Sequence, residues 1–176
     1  MLRGLGFRIA AMGFALAASM FEAKAENYDL TVEVSGLRNF TGQVVLILWP
    51  GSSEASKYPD HTKIQVRDEH TPDTDCDFSK YSICRRMVEN LQDLTVTYIF
   101  KSVPAGDYAL FAFHDENNNG ILDTGILNRP LEGRGFSGIL PADIKPMQRS
   151  VPFKRAKFVL DGPKTITIGL RYPPLR

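Results

Sequence analysis

The chain reads as an antiparallel all-β sandwich of about seven strands with long irregular loops. Two observations carry this. Short runs alternate apolar with polar residues, and clusters of Gly, Pro and Asp punctuate those runs. A third feature sets the compartment: the N-terminus is a short apolar stretch closed by small residues, the pattern of a cleaved export signal.

The leader comes first. Arg3 and Arg8 make a basic start, Ile9 to Phe21 is uncharged and apolar, and Ala23-Lys24-Ala25 offers the small residues that a signal peptidase reads. Cleavage after Ala25 is expected, leaving one domain over residues 26–176. The apolar run is shorter than the roughly 20 residues that a membrane-spanning helix needs. No cysteine stands near the cut to take a lipid. No later run is long enough to span a bilayer, so the mature chain is expected to carry no membrane span. Losing residues 1–25 changes the balance from 21 basic against 20 acidic side chains to 18 against 19. Near-neutral charge gives no electrostatic reason to expect nucleic acid as a partner.

The strands follow in order. Leu30, Val32 and Val34 alternate with Thr31, Glu33 and Ser35, as in a half-buried strand. After a turn at Asn39–Gly42, the run Gln43 to Trp49 is apolar on both faces, which suits a central strand ending at Pro50-Gly51. Thr95 to Phe100 alternates again, and Tyr108 to Phe113 follows Pro104-Ala105-Gly106, so the two form a hairpin or a corner. Ala156–Leu160 and Thr165–Tyr172, joined by Asp161-Gly162-Pro163, complete the set. Trp49 and Tyr108 lie inside strand patterns and are expected in the core.

Two stretches break the rhythm. Residues 51–93 are polar and contain both cysteines. They suit either a short helix from Asp77 to Asn90 or a cysteine-pinned loop with an edge strand at Lys63–Arg67. Residues 124–155 are rich in Gly and Pro and show no convincing element. Cys76 and Cys84 are close enough in sequence to pair, and an exported protein with an even count favours a disulfide over two free buried thiols.

The sharpest chemical signal is His114-Asp115-Glu116-Asn117-Asn118-Asn119-Gly120-Ile121-Leu122-Asp123. Side-chain oxygens at Asp115, Asn117, Asn119 and Asp123, with Gly120 at the bend and the Ile121 carbonyl, match the first part of a calcium loop. The twelfth position, which should be a bidentate Glu, is Ile126, and Glu132 is the candidate to complete the shell. The competing reading is an Asn-Gly turn closing a strand end.

Other constellations are weaker. Gly135-Phe136-Ser137-Gly138 is a fragment of a nucleophile elbow with Ile139 in place of the last Gly, and His114, Asp115 and Ser137 complete a nominal hydrolase set. His61, His70 and His114 lack metal-ligand spacing and are expected to be exposed. Lys145, Arg149, Lys154, Arg155 and Lys157 form a modest basic patch, read as a solvated face.

The order of motifs resembles a known family. Leu30 to Leu37, Gly42-Gln43-Val44, Pro104 to Ala109, His114 to Asp123, Pro130-Leu131-Glu132-Gly133-Arg134-Gly135-Phe136-Ser137, Pro152 to Phe158 and Thr165 to Tyr172 carry the likeness. The chain resembles an uncharacterised family of exported bacterial proteins catalogued as a domain of unknown function. That resemblance implies kinship with transthyretin-like and carboxypeptidase-regulatory sandwiches, and a Gram-negative periplasmic or secreted setting. Here residues 51–93 look longer than is usual in the family, and Lys154-Arg155 replaces residues that are commonly acidic. The fold expected is thus an immunoglobulin-like or transthyretin-like sandwich. The function expected is a non-catalytic binding or structural module with a calcium-stabilised loop and a protein or envelope partner. A small hydrolase using His114, Asp115 and Ser137, or a purely structural envelope domain without metal, are the alternatives.

Overall fold

The computed structural model describes residues 26–51, 58–59, 78 and 83–174. The leader, His61, His70, Cys76 and the candidate edge strand at 63–67 lie outside them. Eight strands follow in order: β1 (Asn27–Ser35), β2 (Gln43–Pro50), β3 (Cys84–Val88), β4 (Thr95–Pro104), β5 (Gly106–Asp115), β6 (Gly133–Phe136), β7 (Phe158–Leu160) and β8 (Lys164–Gly169). A single helical turn, α1 (Phe153–Ala156), precedes β7.

The strands form two sheets of an all-β sandwich. One has the order β4-β1-β8, the other β3-β2-β5-β6 with β7 beside the start of β5. All pairs are antiparallel except β1 with β8. Alternation explains the first sheet: Leu30, Val32 and Val34 of β1 turn inward, while Thr31, Glu33 and Ser35 stay at the outer face. The inward residues meet Val44, Leu46 and Leu48 of β2, with Phe100, Leu110 and Ile168, in the core between the sheets.

β2 is buried on both faces, as its unbroken apolar run requires. Its other side chains, Val45, Ile47 and Trp49, enter a second core with Phe111, Phe113 and Phe136. That core is covered by Ile139, Ile144, Val151 and Ala156 from the irregular stretch before β7. A backbone without a ladder must find other partners when it packs on a core. Arg134, wholly buried, supplies them. Its Nε donates to the Gln148 carbonyl at 2.6 Å, its Nη2 to those of Lys145 and Pro146 at 2.9 Å each, and its Nη1 to that of Arg171 at 3.3 Å. Burial, with the positive Arg171 alongside, lowers its pKa to about 10.

Several expectations change. The segment ending in Met87-Val88 is not helical over residues 84–88: it is β3, paired with Leu48 through Val44. The stretch 124–155 holds β6 and two short 3-10 turns. Of the two expected alternatives, hairpin or corner, Thr95–Pro104 and Gly106–Asp115 make the corner, since β4 joins one sheet and β5 the other. The last two strands also part company, β7 going to β5 and β8 to β1. Trp49 and Tyr108 are core residues as expected. Among the described residues no helix is long and apolar enough to cross a membrane.

Close approach dictates β6. A Cβ on Gly135 would stand 2.4 Å from Ile168 Cγ2 and 2.6 Å from the Gly169 carbonyl oxygen, and one on Gly133 would meet the Tyr172 ring at 2.4 Å. Gly135→Ala should therefore cost about 1–3 kcal/mol by overpacking. Gly162→Ala, where a Cβ meets nothing within 4 Å, should be near neutral. Urea unfolding of both variants checks this, and equal stabilities would refute the close-approach argument.

Candidate functional site

The acidic segment leaves β5 at its C-terminal end. Asp115, fully buried, sits opposite Gln43 of β2 in the ladder, so their side chains lie on the same face. Gln43 Nε2 donates to Asp115 Oδ2 at 2.6 Å. The same carboxylate receives the Gly120 N–H on Oδ2 at 2.7 Å and the Asn119 N–H on Oδ1 at 3.1 Å. Gly120, with φ of 77°, makes the bend that closes the loop over this carboxylate.

The remaining predicted residues converge on the same loop. Asn117 Oδ1 takes the Asn119 N–H at 3.1 Å, and Asn119 Oδ1 takes the Ile121 N–H at 2.8 Å. Their amide nitrogens both turn to Asp123, at 2.7 and 3.0 Å. Glu132, 4% exposed, reaches in from the residue before β6. Its Oε1 accepts the Glu116 N–H at 3.0 Å and its Oε2 the Asp123 N–H at 2.9 Å. One side chain thus clamps both ends of the loop. Ile126 is largely exposed. Among the described residues no group of three or more His, Cys, Asp and Glu side chains could hold a metal ion. Any ion here would have to draw on Asn and backbone oxygens as well.

Charge is unevenly compensated. Burial first, and then the negative Asp115 and Asp123, raise the Glu132 pKa to about 7, against the pull of its two N–H donors. Glu116, one residue past Asp115, is instead paired: Arg38 donates to it through both Nε and Nη2, and Asn39 Nδ2 donates at 2.6 Å. Arg38 also lies over the Tyr172 ring, 4.7 Å from its centre.

His114 corrects an expectation, because it is fully buried. Its Nε2 lies 2.7 Å from the Thr41 carbonyl, which can only accept, so Nε2 carries the hydrogen. Nδ1 then accepts from the Tyr172 hydroxyl at 2.5 Å. Ser137 is engaged elsewhere: Oγ accepts the Leu110 N–H at 2.9 Å and donates to the Ala156 carbonyl at 2.6 Å. Leu110 lies four residues before His114 along β5, about 13 Å at the usual strand rise. The two side chains form no dyad.

Of the basic patch, Lys157 pairs with Asp107 at 2.8 Å, while Lys145 serves Arg134 through its carbonyl. Cys84 is buried in β3, and no free cysteine stands among the described residues. Sequence reasoning missed Gln43, Arg38 and Tyr172. Only the β2–β5 register, placing Gln43 opposite Asp115, carries a signal for the first, and nothing local points to the other two.

A family model described as an uncharacterised protein conserved in bacteria (DUF2141) matches residues 32–168. No curated protein and no solved structure matches the chain.

The buried Glu132 has a consequence for stability. Its pKa rises on folding, from 4.5 to about 7, so the folded state binds its proton more tightly. The resulting stabilisation is complete below pH ~4.5 and is lost as pH rises through about 7. In chelator-treated protein that loss should amount to about 2–3 kcal/mol. Glu132→Gln should flatten the slope while lowering stability overall, because Gln cannot accept at both ends. Urea midpoints from pH 4.5 to 8 measure it, and an unchanged slope in the variant would count against Glu132 as the source.

Proposed function

The chain belongs to the family of uncharacterised proteins conserved in bacteria (DUF2141), and from that premise we propose that it is an exported, non-catalytic module whose Asp115–Asp123 loop takes calcium and thereby fixes a partner-binding surface. The observation that carries this reading is the convergence of Asp115, Asp123 and Glu132 on one loop, where like charge and burial raise the Glu132 pKa to about 7. A divalent cation held by these carboxylates only in part, and otherwise by Asn and backbone oxygens, would supply the counter-charge. Asp115 supports a first ligand position, because its carboxylate already collects the Asn119 and Gly120 amides as the bend of a calcium loop requires. Asn117 and Asn119 would rotate their amide groups to turn oxygen toward the ion in place of the N–H groups that now bond Asp123. Glu132 or its neighbouring backbone would complete the shell.

Export rests on the leader: its basic start, apolar run and Ala23-Lys24-Ala25. A periplasmic or secreted location follows, and the family resemblance supports a Gram-negative host. In that oxidising setting Cys84 pairs with Cys76, a reading consistent with the absence of a free cysteine among the described residues. Intact mass of the exported protein under thiol alkylation tests the bridge. Two labels should be added only after reduction, and labelling without reductant would remove it.

Thermal unfolding tests the calcium reading. At ~100 times its dissociation constant calcium should stabilise by about 2.7 kcal/mol. For a domain of this size that raises Tm by about 5–10 °C. Magnesium should do much less, since it dehydrates reluctantly and demands stricter geometry. Asp123→Ala, at a half-buried position, should keep the fold and lose the shift. A Tm indifferent to calcium, or a shift equal in Asp123→Ala, would reduce the loop to a turn.

A further inference from the structure

A cavity of about 600 Å³ opens at one end of the sandwich, where three connections meet. Phe40 and Gln43 come from the turn into β2, Glu89, Asn90 and Gln92 from the loop between β3 and β4, and Asn118 from the acidic loop. Loops gathered at the end of a rigid sandwich are a common place for ligand sites. The lining chemistry narrows the ligand. Four of the ten lining residues are carboxamides, beside the apolar Met87 and Leu91, and an amide offers donors and an acceptor together. Glu89 is the charged side chain among the described lining residues, and its carboxylate disfavours an anionic ligand. A purely apolar ligand would take water from the exposed Asn90 and Asn118 side chains without replacing its hydrogen bonds.

One aromatic ring completes the set. Phe40 is 54% exposed, yet its turn is tightly held. Asn39 Oδ1 takes the Thr41 N–H at 2.9 Å, and Asn39 Nδ2 bonds Glu116. Gly42, at φ of 85°, leaves no room for a Cβ beside the Asp115 carbonyl. The ring is therefore presented by a rigid support beside a row of amides. Asn90 and Asn118 both adopt left-handed backbone, with φ of 55° and 58°. Such conformations are enriched at binding sites, and Asn tolerates them. We propose that this three-loop cavity is a binding site for a neutral saccharide, whose hydroxyls pair with the amides and Glu89 while a C–H face of the sugar ring lies on Phe40. Hydroxyls both donate and accept, as the amides do, and a pyranose has the apolar face that an exposed ring can cover.

Asn118 belongs to the loop assigned to calcium, but the site stands on the cavity and its lining and does not require the ion. The purified protein is titrated with maltose, cellobiose and N,N′-diacetylchitobiose to about 10 mM, a weak-binding range. The side-chain amide resonances of Asn90, Gln92 and Asn118 are followed in chelator and again in calcium, with glucose-6-phosphate as a charged control. At least one neutral disaccharide should shift these resonances in one of the two conditions, and Phe40→Ala should weaken that binding at least about tenfold with Tm unchanged. A response only in calcium would mean that the ion orders the Asn118 wall. A response in chelator alone, or in both, would uphold the cavity even if the calcium reading failed. Silence of all three sugars in both conditions, binding of the charged control alone, or undiminished binding by Phe40→Ala would each overturn the proposal.

Discussion

Everything in this fold follows from the β2–β5 pair being apolar on both sides. Eight residue pairs, from Gln43 with Asp115 to Pro50 with Tyr108, lock the two strands together. One face needs the β4-β1-β8 sheet to cover it. The other needs a second layer, and no further sheet is available among the described residues. The chain solves this with the irregular stretch between β6 and β7, which lays Ile139, Ile144, Val151 and Ala156 over Ile47, Phe111 and Phe113. Burying such apolar surface stabilises by about 25 cal/mol per Å². An irregular cover gains that only if its own peptide groups are satisfied.

That condition explains the residues around β6 better than catalysis does. Arg134 binds four carbonyls with one guanidinium, and its own backbone exchanges hydrogen bonds with Arg171 at 3.1 and 2.8 Å. The β6 edge is thereby joined to the chain just after β8. Ser137 plays a similar part for the Leu110 N–H and the Ala156 carbonyl. Gly133 and Gly135 let the strand approach Tyr172 and Ile168 closely. Glu132 ties the same strand to the acidic loop. The segment Glu132 to Ser137, whose Gly135-Phe136-Ser137 end belongs to the nucleophile-elbow fragment in the sequence, is a structural joint in which the Glu132, Arg134 and Ser137 side chains all have partners.

Legibility in the sequence tracks this division of labour. β1 and β4 announce themselves by alternation, apolar residues facing inward at every second position, and β2 and β5 by short unbroken apolar runs that suit strands buried on both faces. β3 and β6 do not. Cys84-Arg85-Arg86-Met87-Val88 buries two arginines, and Gly133-Arg134-Gly135-Phe136 buries one. Arg134 is accommodated by bonds to backbone far away in sequence, which no local pattern encodes. His114 fails in the same way: its burial depends on Tyr172 and Thr41, respectively 58 and 73 residues distant. The acidic loop was legible in membership, Glu132 included, because its spacing is local and its partner is the only nearby carboxylate past Asp123. Gln43 was not, since it reaches Asp115 only through strand register.

The loop also shows how a fold can hold charge in reserve. Glu132 accepts the amides of Glu116 and Asp123, which ties the exit of β5 to the approach of β6. Those two bonds favour its charged form, yet burial beside Asp115 and Asp123 outweighs them and leaves its pKa near neutrality. The clamp is thus set against its own electrostatics. A proton resolves the conflict by removing the charge, and a bound cation, as proposed above, would resolve it by balancing the charge and would compete with the proton for the same carboxylate. A neutral residue would avoid the conflict but could not accept at both ends of the loop. The geometry that makes Glu132 a good clamp is therefore the same geometry that leaves its charge in need of a partner.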